Sequence, residues 1–67
     1  MKIQDKELNE SNIYDPVTYI PPHAKGNAGH KDCEQGVIIR WDDKGIFVMY
    51  CTSRTIQRTD PEWLVWG

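Results

Sequence analysis

Gly36-Val37-Ile38-Ile39-Arg40-Trp41-Asp42-Asp43-Lys44-Gly45-Ile46-Phe47-Val48-Met49-Tyr50-Cys51 reads as two extended segments joined by a short polar turn. β-Branched and aromatic side chains fill both segments, and such residues suit a pleated, half-buried surface. The turn ends in Gly45, placed where a bulged hairpin wants a left-handed residue. By the two-residue period, Val37, Ile39 and Trp41 share one face of the first segment, and Ile38 and Arg40 share the other. Ile46 to Cys51 is apolar on both faces, which predicts a central strand covered on each side.

Outward from this hairpin the pattern stays β-type. Val17-Thr18-Tyr19-Ile20 alternates and stops at Pro21-Pro22, which cannot continue a ladder. Thr52-Ser53-Arg54 is a turn, and Thr55-Ile56-Gln57-Arg58-Thr59 alternates again. In Asp60-Pro61-Glu62-Trp63 an aspartate caps one helical turn whose first position is proline. Leu64-Val65-Trp66 is the last short strand. The expected fold is all-β: five short strands, a long loop between the first two, and one helical turn before the last. Residues 1–13 stand apart, because Ile3, Leu8 and Ile13 are too sparse for a helix. They read as a flexible tail or an arm laid over the body, with residues 14–67 as the domain.

Bulk properties bound the function. The chain has 67 residues, 39% of them hydrophobic. That is enough for one small core and too little for a deep cleft between domains. Eight Lys and Arg against ten Asp and Glu leave a net charge of −2. Non-specific adhesion to nucleic acid or membrane is therefore not its main business. The apolar runs are far too short to span a bilayer, and the first residues lack the apolar stretch of a signal peptide. The expected location is the cytoplasm, where Cys33 and Cys51 are thiols or metal ligands and not a disulfide.

The strand order resembles the SH3-like barrel, in its Tudor and KOW versions, over about residues 15–66. Val17 and Tyr19 in the first strand carry the likeness, with Gly36 opening the second, Val48-x-Tyr50, and Pro-Glu-Trp-Leu-Val at 61–65. The resemblance implies a five-stranded antiparallel barrel; closure would remove exposed sheet edges and let few residues enclose a core. The stretch from Val17 to Val37 also looks like a recurrent signature of short proteins encoded by bacteriophages and prophages. That likeness implies a phage accessory protein working in the host bacterial cytoplasm.

The loop Pro21 to Gln35 spans 15 residues and holds both histidines, Cys33 and two of the five glycines. Loops this long in small domains are usually functional or locally structured. His30 and Cys33, two residues apart, have a spacing that reaches one zinc ion, with His23 and Cys51 or Asp32 completing a tetrahedron. Against a zinc-stabilised domain stands the plainer reading, that the histidines hydrogen-bond loop carbonyls and carboxylates. The expectation is no cofactor, with zinc as the alternative. Cys33 beside His30 or His23, with Asp32 or Glu34 as orienting group, would be a thiolate pair, but no oxyanion site accompanies it and the expectation is no enzyme. Gly26 to Gly29 lacks the Gly-Lys-Ser/Thr ending of a phosphate loop.

Seven aromatic residues exceed what so small a core buries: Tyr14, Tyr19, Trp41, Phe47, Tyr50, Trp63 and Trp66. Phe47 is expected inside; Tyr14, Tyr19, Trp41 and Trp63 are expected partly outside. SH3-like domains commonly bind peptides, methylated side chains or nucleic acid through aromatics beside the first long loop. The candidate partner-binding residues are therefore Tyr14, Tyr19, His23, Lys25, His30, Lys31, Trp41 and Trp63. A neutral, aromatic-rich face favours a protein partner. Nucleic acid is the alternative, with Lys25, Lys31, Arg40, Lys44, Arg54 and Arg58 diluted by Asp32, Glu34, Asp42 and Asp43. The tryptophan surplus would also serve a homodimer interface.

Overall fold

The computed structural model describes residues 1–67. In chain order the strands are β1 Lys2–Ile3, β2 Lys6–Glu7, β3 Pro16–Tyr19, β4 Glu34–Asp42, β5 Gly45–Tyr50, β6 Ile56–Thr59 and β7 Leu64–Trp66. β3 to β7 form one antiparallel sheet in the order β6-β5-β4-β3-β7, and β1 and β2 pair as a separate hairpin. The five expected strands of the body are thus present, as is the long loop between β3 and β4. The 3-10 turn Pro61–Trp63 precedes β7, with the Asp60 carboxylate accepting the Glu62 N–H at 2.9 Å.

The expected barrel does not close. β6 and β7 are the two edges of the sheet and do not pair with each other. The Asp60–Trp63 turn lies between them, and Pro61 has no N–H to offer a ladder. β7 meets the N-terminal segment instead: the Trp66 indole N–H donates to the Ile3 carbonyl at 3.1 Å, and the Trp66 amide donates to Gln4 Oε1 at 3.4 Å. The fold is therefore an open five-stranded antiparallel sheet with a small hairpin laid beside one edge.

A bulge in β4 sets which side chains face inward. Ile38 pairs with Val48 and Arg40 with Phe47, so Ile39 is the extra residue. One inserted residue reverses the alternation beyond it. Ile38 and Trp41 consequently face the core, whereas Val37 and Arg40 face outward with Met49 and Phe47. This corrects the expected grouping of Val37, Ile39 and Trp41. β5 is likewise covered on one face only: Ile46, Val48 and Tyr50 are buried, while Met49 is 42% exposed. Phe47 lies on the outer face, not in the core, between the guanidinium groups of Arg40 at 3.8 Å and Arg58 at 5.5 Å. Gly45 keeps a negative φ; its requirement is room, because a Cβ there would meet Arg58 Cγ at 2.8 Å and the Thr59 carbonyl at 3.0 Å.

The core is Ile3, Leu8, Val17, Ile38, Ile46, Val48, Tyr50 and Leu64, with Trp41 and Trp66 packed against it. Two of these eight come from residues 1–13, so that segment lies as an arm over the body. Its second half is a 3-10 turn, Glu10–Asn12, held by a reciprocal cap. The Asn9 side chain accepts the Ser11 amide at 2.9 Å, and the Asn9 amide donates to Asn12 Oδ1 at 3.0 Å. No helix is long and apolar enough to cross a membrane.

Candidate functional site

The open end of the sheet leaves a depression of about 410 Å³. Its apolar walls are Tyr19 from β3, Tyr50 from β5 and Trp63 from the 3-10 turn. The Tyr19 and Tyr50 rings meet edge to face with centroids 6.2 Å apart. Tyr50 is held from behind, its hydroxyl 2.6 Å from Thr59 Oγ1 in the core. Burial pushes the Tyr50 phenol above its usual range, only partly opposed by the Thr59 hydrogen bond. The rim carries Glu34, Asp60 and Arg58, two acids and one base. Glu34 is fixed because its carboxylate accepts the Ser53 amide at 2.7 Å, which also pins the turn after β5. Aromatic walls with a few charged groups at the rim make a slot for a side chain, because rings supply apolar area and a negative face together.

A second depression of about 350 Å³ lies on the other side of Trp63, with Ile20, Pro21, Pro22 and Lys25 around it. Trp63 is therefore a wall common to both. β6 runs beside the first depression and has a strand partner on one edge only. Ile56, Gln57 and Arg58 on it are exposed.

The long loop is built from successive tight turns, with backbone bonds from Ala24 to Pro21, Asn27 to Ala24, His30 to Asn27 and Cys33 to His30. A left-handed Lys25 ends the first of them. These turns bring His23, His30 and Asp32 together. His23 Nε2 lies 2.7 Å from Asp32 Oδ2, and His30 Nδ1 lies 4.0 Å from the same oxygen and accepts the Asp32 amide at 3.0 Å. Neither cysteine joins them. The Cys33 thiol donates to the Asn27 carbonyl at 3.3 Å, and the exposed Cys51 follows the end of β5, its amide bonded to Gln35. The expected ligand set His23, His30, Cys33 and Cys51 is thus not assembled, because the Cys33 thiol turns to Asn27, Cys51 lies past β5 outside the loop, and Asp32 sits between the imidazoles.

The candidate partner-binding residues divide by place. Tyr19 and Trp63 line the first depression, Lys25 borders the second, and His23 and His30 belong to the loop cluster. Tyr14 is 71% exposed but lines neither depression; Lys31 is exposed on the loop, and Trp41 packs against the core. Tyr50 and Asp60 carry no signal of a site in the sequence, and Glu34 signals only an orienting group for Cys33. Tyr50 looked like an ordinary strand residue, and only its pairing opposite Gly36 and its approach to Tyr19 reveal it as a wall. Compared with known proteins, the chain matches no protein-family model, no curated protein and no solved structure.

Proposed function

We infer that this protein is a non-enzymatic binding module that takes up an extended segment of a partner protein. The observation that carries this reading is the slot of Tyr19, Tyr50 and Trp63 beside the one-sided strand β6. A strand laid along β6 would gain main-chain hydrogen bonds, and one of its alternate side chains would enter the aromatic slot. Two acids against one base at the rim favour a lysine or arginine there, over the ring faces. The likeness to phage and prophage proteins makes a host bacterial protein the natural source of the segment.

The reading is tested with a yeast-displayed library of random peptides. Enriched peptides should carry a basic residue, and their affinity should fall about tenfold or more in Trp63→Ala and Tyr19→Ala, as for anchor residues of an interface. Circular dichroism must show both variants folded. No enrichment, or affinity unchanged in both variants, overturns the reading. Tight, strongly salt-dependent binding of single-stranded nucleic acid that needs Lys25 and Arg40 would replace it with the nucleic-acid alternative.

A further inference from the structure

We propose that His23, His30 and Asp32 form a three-ligand site for Zn²⁺, independent of the aromatic slot. Their donor atoms all lie within 4.8 Å of one another. A tetrahedral zinc ion with bonds near 2.0 Å separates its ligand atoms by about 3.3 Å. The observed separations of 2.7 and 4.0 Å from Asp32 Oδ2 bracket that value.

The rings support the same geometry. The His23 and His30 centroids are 5.3 Å apart with planes at 81°. Two imidazoles bound to one tetrahedral ion place their centroids about 5.2 Å apart, since each centroid lies about 3.2 Å from the metal. The ring spacing is therefore compatible with a shared ion. Side-chain rotations would bring the donors to bonding distance, His23 and Asp32 being exposed and His30 half-buried.

Metal entry exchanges bonds that water can replace. His23 Nε2 gives up its contact with Asp32 and binds the ion through its unprotonated nitrogen. His30 Nδ1 gives up the Asp32 amide, which turns to solvent. Three protein ligands leave the fourth position to water, the composition of an open zinc site. Imidazole and carboxylate donors also suit cobalt, whose colour reports the geometry. His23 lies at the start of the loop and His30 and Asp32 near its end. One ion would thus reinforce a link across the loop that the His23–Asp32 contact already makes.

The test is titration of the metal-stripped full chain with ZnCl₂ by calorimetry, and with CoCl₂ by visible absorption. One equivalent of Zn²⁺ should bind, and melting temperature should rise by about 5 °C or more at saturating metal. Cobalt should give the intense absorption of a tetrahedral site. Affinity should fall about tenfold or more in His30→Ala and in Asp32→Asn, and stay within about twofold in Cys33→Ser and Cys51→Ser. Absence of stoichiometric binding overturns the proposal and leaves the three side chains as a hydrogen-bonded loop latch. So does binding that survives His23→Ala combined with His30→Ala, or that disappears in Cys33→Ser. Peptide capture by Trp63 is scored separately, so failure here leaves the binding reading untouched.

Discussion

At Gly36 the chain has no room for a side chain. A Cβ would sit 2.6 Å from both the Met49 carbonyl oxygen and Val48 Cγ1, where β4 and β5 approach closely. Gly36→Ala should therefore cost about 1–3 kcal/mol of stability by urea denaturation, as overpacking does. Tyr50 opposite it is a core residue and a slot wall at once. Tyr50→Phe should cost about 1 kcal/mol at pH 7, the usual net worth of the hydroxyl bond to Thr59. The pH dependence has a definite sign. Because burial raises the Tyr50 phenol above its unfolded value, its stabilising share is complete below about pH 10 and is lost as pH climbs through the raised folded value. Tyr50→Phe should accordingly flatten the alkaline fall in melting temperature above about pH 10 relative to the native chain. Tyr19 and Trp63 were legible as site residues from type alone, since surplus aromatics in a small domain must lie partly outside. Tyr50 was not, because its role depends on which neighbours the register gives it.

Among the elements, the N-terminal hairpin was the hardest to read. β1 and β2 have two residues each, too few for any periodic signal, and Ile3 and Leu8 look isolated along the chain. Packed, Ile3 is fully buried and its carbonyl receives the Trp66 indole. Ile3→Ala should lower stability by about 2–5 kcal/mol in chemical denaturation, a large share of what a domain this small possesses. A flexible tail would instead show no change. The β4–β5 hairpin was legible in its two strands and the place of its turn, but β4 starts at Glu34, before Gly36, and Gly45 is not left-handed. Asp42 caps that turn, accepting the Lys44 amide at 2.9 Å and the Gly45 amide at 3.1 Å. Those bonds, the Lys44 amide foremost, hold the Asp42 carboxyl below its ordinary value. The inward face of β4 was not legible, since a one-residue bulge at Ile39 leaves no mark in an uninterrupted run of apolar residues. The consequence reaches the outer face, where Phe47 stacks between Arg40 and Arg58 and not against the core.

At the scale of the whole molecule the two sheet edges differ. β7 is covered by the N-terminal hairpin, while β6 carries exposed residues and pairs on one side. Hydrogen exchange should therefore find amides of β4 and β5 protected to near the global stability. Those of β6 should exchange faster, through local opening. Uniform protection across β6 would mean its free edge is covered, as in a closed barrel or a dimer. The sequence by itself determined the five strands of the body, the long loop, the capped turn at Asp60 and the aromatic surplus. Each of these is set within a few residues, by alternation, by proline or by a capping side chain. Only the tertiary structure decided that the sheet stays open, that Trp41 turns inward, that the thiols leave the histidines to Asp32, and that Trp63 divides two depressions. Those outcomes depend on strand register and on contacts between distant segments, which no local pattern of side chains encodes.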